Sequence, residues 1–219
     1  MDGRYEKKYI INEYEYNILK NKISNFMKRD IHTNNGYYDV YSIYFDDYEY
    51  TSYNDSLDGV YHKEKYRIRF YSDGNYKLEI KEKKGDICYK SIYLINEGAF
   101  INMLNGNYRL IKNINNKIQE KWYRKLTHDL YRPRILIYYK REAYEDKKSK
   151  VRVNFDFNIK YTANIKSKSS LKVLNRDIIF EVKYNSVIPE YLLKIFNELD
   201  KNNIGYSKYA KAIGKIIEY

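Results

Sequence analysis

Polar and apolar side chains alternate one for one along much of this chain, the period of a β-strand, whose successive side chains point to opposite faces. Residues 63–70 place Lys63, Lys65, Arg67 and Arg69 on one set of positions and Tyr66, Ile68 and Phe70 on the other. After the turn cluster Ser72, Asp73, Gly74 and Asn75, the positions Tyr76, Leu78 and Ile80 alternate with Lys77, Glu79, Lys81 and Lys83. The two runs predict a hairpin with one apolar face and one charged face. A third run follows Gly85 and Asp86 and carries Lys90.

The pattern recurs along the chain. Over residues 4–11, Arg4, Glu6 and Lys8 share one face of a first strand and Tyr5, Lys7 and Tyr9 the other. A strand over 37–46 follows the break at Asn34, Asn35 and Gly36. In a strand over 134–144, Ile135, Ile137, Tyr139 and Arg141 fall in one phase. Over 151–157, Arg152, Asn154 and Asp156 oppose Val151, Val153, Phe155 and Phe157, and over 178–184, Ile179, Glu181 and Lys183 oppose Ile178, Phe180 and Val182.

Helical spacing separates these strands. Asn12 with Glu15 is a capping-box variant that opens a helix to about residue 28, with Leu19, Ile23 and Phe26 on its apolar side. Residues 98–104 and 112–127 read as helices, the second through Ile114, Ile118, Trp122 and Leu126. Pro189 starts another in its first turn, carrying Leu192, Leu193, Phe196 and Leu199, and Ser207-Lys208-Tyr209 opens a last one. The stretch with Asn54, Asp55 and Gly59 reads as a loop. The Lys/Ser stretch at 166–170 is the one linker-like segment, too brief to separate domains.

Composition narrows the class. A chain of 219 residues that is 43% hydrophobic suits one well-buried core, so a single domain over 1–219 is expected. One cysteine, Cys88, excludes an internal disulfide and a Cys-based zinc site. Cytoplasm is the expected compartment. No apolar run approaches membrane-spanning length and the charged start has no signal-peptide core behind it, so no intrinsic membrane segment is expected and membrane association is expected to need a partner protein. The net charge of +12 implies a polyanionic partner. The 29 tyrosines could stack bases, but Tyr on strands more commonly packs a core or barrel; nucleic acid is not the expected partner.

A flat sheet would turn its charged face to water. A sheet closed into a barrel would bring Arg67, Arg69, Lys81, Arg152 and Glu181 together in its lumen and pack its apolar face outward under helices. Such a lumen must hold water or anions, because unpaired buried charge is costly. Phosphate suits it, since guanidinium groups bind phosphate in a forked geometry.

Eight segments carry a family resemblance: Arg4-x-Glu6-x-Lys8-Tyr9, Ser42-Ile43-Tyr44-Phe45-Asp46, Lys65-Tyr66-Arg67-Ile68-Arg69, Leu78-Glu79-Ile80-Lys81, Tyr139-Lys140-Arg141-x-Ala143, Arg152-Val153-Asn154-Phe155-Asp156, Phe180-Glu181-Val182-Lys183 and Ser207-Lys208-Tyr209. In this order they resemble the VTC domain, the polyphosphate polymerase domain of the triphosphate tunnel metalloenzymes, relatives of the CYTH proteins. The resemblance implies an α+β fold: a closed antiparallel eight-stranded β-barrel tunnel with helices packed on the outside. It also implies a metal-dependent transfer of the γ-phosphate of ATP to a growing polyphosphate chain, with Mn2+ or Mg2+ as cofactor. Arg67, Arg69, Lys81, Arg152 and Lys208 would be catalytic, and Lys8, Lys90, Arg141 and Ser207 would bind substrate. Glu181 would be the metal carboxylate, with Glu6 and Asp156 as further candidates.

Two positions depart from relatives. CYTH cyclases and triphosphatases resemble Glu-x-Glu-x-Lys, whereas this chain has Arg4 first, which favours the polymerase branch. Eukaryotic members place a basic residue three positions before the lysine of the Ser-Lys pair, where this chain has Gly205.

The alternatives are a tunnel triphosphatase that hydrolyses nucleoside triphosphate or inorganic triphosphate, and a non-catalytic module that binds polyphosphate or RNA. Other chemistry is thin. Gly214-Lys215 lacks the remaining residues of a phosphate-binding P-loop, and His32, His62 and His128 are scattered, with no metal or triad spacing.

Overall fold

The computed structural model describes residues 3–31, 36–112, 115–167, 170–199 and 202–218. The expected break at Asn34 and Asn35, the helical position Ile114, the histidine His32 and part of the Lys/Ser stretch at 166–170 lie outside these residues. The fold is mixed α+β, a large antiparallel sheet with six α-helices among the described residues.

The strands are β1 Arg4–Ile11, β2 Lys28–Arg29, β3 Tyr38–Asp46, β4 His62–Phe70, β5 Tyr76–Lys84, β6 Ile87–Ile95, β7 Arg132–Asp146, β8 Val151–Thr162, β9 Lys172–Asn175 and β10 Ile178–Tyr184. They pair in the order β2-β7-β3-β4-β5-β6-β1-β10-β8-β9, and β7 pairs with β8 as well, from Leu136↔Thr162 to Asp146↔Val151. The ladder that joins β1 to β6 has only two pairs, Arg4↔Cys88 and Tyr5↔Ile87. Gly85, at φ +55, makes the tight β5–β6 turn that brings Lys84 opposite Ile87.

The helices are α1 Glu13–Ser24, α2 Thr51–Leu57, α3 Glu97–Leu104, α4 Lys117–Thr127, α5 Glu190–Asn197 and α6 Lys208–Ile217. The expected capping box is present: Asn12 Oδ1 accepts from the Glu15 amide and Glu15 returns a carboxylate to the Asn12 amide. α1 ends four residues before the expected limit, because Lys28 and Arg29 leave the helix to pair with Glu145 and Tyr144. α4 begins five residues later than expected, at the Asn116 side-chain cap. Pro189 stands at the N-cap of α5 and not in its first turn. α2 replaces an expected loop. Its first amides are capped from upstream, Thr51 by Asp47 Oδ1 and Ser52 and Tyr53 by the Asp46 carboxylate.

The strand face opposite the cations is covered in two halves. Leu19 and Ile23 of α1 and Leu192, Ile195 and Phe196 of α5 pack on Tyr9, Val153, Phe155, Phe180 and Val182. Met103 of α3 and Trp122 and Leu126 of α4 pack on Ile43, Phe45, Tyr66, Ile68, Leu78 and Ile80. Each fully buried aliphatic or aromatic side chain contributes about 1.5–3 kcal/mol, so these helices are fixed by the apolar half of the strand alternation.

α6 departs from the expectation that helices lie outside. Its Tyr209, Ala212 and Ile213 pack with Ile135, Ile137 and Tyr139, the row of β7 that ends in Arg141, and with Val40, Tyr44, Ile159 and Ile179. That row turns apolar as it leaves Arg141, so the charged side of the sheet needs an apolar cover at one end. α6 provides it.

Candidate functional site

Strand alternation decides which side chains meet. Lys65, Arg67 and Arg69 of β4, Lys81 of β5, Lys90 of β6, Glu6 and Lys8 of β1, Glu181 and Lys183 of β10, Arg141 of β7 and Arg152 of β8 line a cavity of about 780 Å³, joined by Ser207 and Lys208 at the start of α6. Fourteen Lys and Arg line it against five Asp and Glu. Glu79 and Asp156 stand behind that surface, fully buried, and positive charge remains in excess when they are counted. Cations taken out of water cost several kcal/mol each unless negative charge faces them. The cavity is therefore suited to an anion.

Three carboxylate nodes organise the wall. At the first, Arg67 Nη2 lies 2.7 Å from Glu79 Oε2, Lys90 Nζ lies 2.5 Å from Oε1, and Arg69 Nε is 3.9 Å away. Burial works to raise this carboxyl, but Arg69, Arg67 and Lys90 outweigh it and hold it well below the usual carboxylate range. At the second, Arg141 grips Asp156 with Nε at 2.6 Å and Nη2 at 2.7 Å, and Lys208 Nζ adds a contact at 2.6 Å. Burial again opposes ionisation, and Arg141 and Lys208 override it.

The third node follows from register. β1 and β10 set Glu6 opposite Lys183 and Lys8 opposite Glu181. Lys81 Nζ reaches Glu6 Oε2 at 2.5 Å, and although burial raises that carboxyl, the Lys81 charge brings it down to about 2. Glu181 receives Lys183 Nζ at 3.0 Å, an Asn154 amide N–H at 3.1 Å, Arg141 at 3.6 Å and Lys8 at 3.8 Å. It too is held well below its ordinary value, its burial outweighed by Lys183, Lys8 and Arg141.

Tyrosine hydroxyls aim the guanidinium groups. Arg67 Nη1 donates to Tyr44 Oη at 2.8 Å and Arg69 Nη2 to Tyr139 Oη at 3.0 Å. Arg152 sits nearer the rim, paired with Asp30 at 2.5 Å and donating to Tyr38 Oη and Asn154 Oδ1. Ser207 caps α6 by accepting from the Ala210 amide, and it also accepts from Lys65 Nζ at 2.8 Å. Lys8 Nζ donates to the Tyr206 carbonyl at 2.8 Å.

Eleven of the twelve residues proposed from the sequence thus line one cavity, and Asp156 is bonded to two of them from behind. Glu79, Lys65 and Lys183 join the site beyond these twelve, and each alternates in phase with one of them along its strand. The partners of Glu79, Arg67 and Lys90, come from the strands on either side of β5, so no spacing within β5 reveals them. Gly205 also lines the cavity, with open space where a side chain would start.

The donor chemistry fits a hard divalent ion. Such an ion on a triphosphate is held by one or two carboxylates with phosphate and water completing its shell, and Glu181 and Glu6 present ionised oxygens to the cavity from adjacent strands. Among the described residues, the group of three His or acidic side chains with ligand atoms within 4.8 Å of one another is His62, Glu64 and Glu82. It lies apart from the cavity lining, and Lys121 and Lys84 already neutralise its glutamates. No helix among the described residues is long and apolar enough to cross a membrane.

A cation-lined cavity is thus built on one face of an antiparallel sheet whose other face lies under helices, in a fold of the α+β class. The chain belongs to the VTC domain family, whose pattern matches residues 3–217. A putative adenylate cyclase from Bacillus halodurans has a similar fold at 11% identity and a TM-score of 0.55, over 94% of this chain and 96% of that one. The PH1819 protein of Pyrococcus horikoshii is similar at 14% identity and a TM-score of 0.51, over 97% and 99%. At these identities the likeness shows the fold alone. No curated protein matches the chain.

Proposed function

We propose that this domain, 1–219, is a metal-dependent phosphotransferase that lengthens polyphosphate at the expense of ATP inside a tunnel ringed by eight strands. The observation that carries the reading is the excess of Lys and Arg over Asp and Glu around a cavity of about 780 Å³ in a VTC-family chain. The β7–β8 pairing supports the ring, because it joins the two arms of the sheet around that cavity.

Phosphoryl transfer asks for alignment and for positive charge on the oxygens in between. Arg67, Arg69, Lys81, Arg152 and Lys208 act on the transferring phosphoryl oxygens, while Lys8, Lys90, Arg141 and Ser207 hold the flanking phosphates. A terminal oxygen of the polyphosphate chain attacks the γ-phosphorus, a new P–O–P bond forms, the bond to the β,γ-bridging oxygen breaks, and ADP leaves with that electron pair. Mn2+ or Mg2+, when bound, would add charge neutralisation on the phosphate oxygens, held by Glu181 with Glu6 and Asp156 as the other candidates. The forked guanidinium grip needs no side-chain nucleophile.

The test is incubation of the purified protein with ATP and Mn2+, followed by gel analysis of phosphate chains. Long chains are the expected product. Free phosphate alone would make the protein a tunnel triphosphatase. A binding-only module is the second reading, favoured by the ion pairs that already engage Glu6, Asp156 and Glu181; metal-independent binding of polyphosphate without ATP consumption would establish it.

A further inference from the structure

Most cations in the cavity wall face a carboxylate. Lys65, with Arg4, Lys63, Lys77 and Lys83, has no ion pair among the described residues: its amine, on the buried side of β4, donates to the Ser207 hydroxyl at 2.8 Å and lies 6.0 Å above the Tyr209 ring. No carboxylate lies within ion-pair distance of it among the described residues. The charges that act on it most strongly are cationic: Lys8 from β1, Lys81 directly opposite on β5, and Lys63 and Arg67 on its own strand. Glu6 of β1 is committed to Lys81. From α6 come the neutral Ser207 and Tyr209, the latter stacked on Tyr44 of β3, which Arg67 binds.

We propose that Lys65 is a phosphate-binding residue recharged by its ligand, so that a polyanion entering the cavity is bound together with a proton taken up by this amine. The inference rests on the phosphate reading of the cavity and adds to it a residue and a coupling. Burial, followed by repulsion from Lys8 and Lys81, brings the amine down to about 7 when nothing negative is present. An anion beside it reverses the repulsion and raises the value in the complex. The sign follows directly. The affinity due to this charge is complete below the free value of about 7, and it is lost as pH rises through the higher value of the complex.

Its position gives the coupling a structural consequence. The same hydroxyl that accepts from Lys65 caps α6, the next residue Lys208 pairs with Asp156, and Asp156 holds Arg141. Lys65 therefore ties the β4 wall to the helix that covers the apolar end of the cavity.

Calorimetric titration of the full chain with inorganic tripolyphosphate, in two buffers of different ionisation enthalpy, reads the protons taken up per ligand. At about pH 7.5 the wild type should take up roughly 0.7 proton more than Lys65→Arg, whose guanidinium stays charged throughout; the ligand's own ionisation cancels in that difference. Lys65→Arg should keep binding, while Lys65→Met should bind about tenfold more weakly, the worth of one charge-assisted hydrogen bond. Equal proton uptake in wild type and Lys65→Arg, or undiminished affinity in Lys65→Met, would overturn the inference alone. No binding to wild type would overturn the phosphate reading of the cavity and this inference with it.

Discussion

Replacing Glu79 by Gln keeps the shape of the side chain and removes one negative charge from a fully buried position. Arg67 at 2.7 Å, Lys90 at 2.5 Å and Arg69 at 3.9 Å then share no carboxylate. Losing one partner of a buried ion pair costs about 3–5 kcal/mol, because the remaining charge stays desolvated. In a chain of this size about 4 kcal/mol lowers the melting temperature by roughly 10 °C. Tripolyphosphate should restore part of that loss by supplying the missing negative charge, so the ligand-induced rise in melting temperature should be larger in Glu79→Gln than in wild type. Thermal unfolding by circular dichroism, with and without tripolyphosphate, measures both quantities. A variant that melts with wild-type protein would refute the reasoning, since it would mean that water in the cavity already solvates all three cations. An equal ligand-induced rise in both proteins would refute the part that assigns the cations to the ligand.

Three other outcomes follow from the same geometry. Arg67→Ala should lower phosphoryl transfer from ATP at least about a hundredfold, the usual cost of deleting a donor aimed at developing charge; wild-type turnover in a steady-state assay would remove Arg67 from the site. The Glu6 carboxyl, held at about 2 against an ordinary 4.5, stabilises the fold above pH 4.5, and that contribution of about 3 kcal/mol disappears as pH falls through 2. Urea midpoints should accordingly drop steeply with acidification, and less so in Glu6→Gln. Trp122→Ala, which empties a fully buried site between Phe45 and Tyr66, should cost about 3–5 kcal/mol in urea unfolding with activity per folded molecule unchanged.

Alternation made the strands legible. In Lys65-Tyr66-Arg67-Ile68-Arg69 and Phe180-Glu181-Val182-Lys183 the phase of the charges already states which side chains share a face, because a strand has a period of two and nothing else to choose. The Asn12 and Glu15 pair likewise announced the start of α1, since both halves of that cap are local. The start of α2 was illegible for the opposite reason: its amides are satisfied by Asp46 and Asp47, which stand outside the helix. β2 is two residues long and exists only because β7 offers an edge at Glu145 and Tyr144.

The sequence by itself determined the faces, which cations travel together on each strand and which apolar rows need cover. Tertiary structure decided who neutralises whom. Glu79 became the anchor of Arg67, Asp156 the anchor of Arg141 and Lys208, and Lys65 was left among cations, because these pairings join strands and a helix far apart in the chain. α6 came to the charged side of the sheet for a similar reason: the row beginning at Arg141 turns apolar at Tyr139, Ile137 and Ile135, and which helix covers it depends on contacts between segments far apart in the chain, not on any period within one of them.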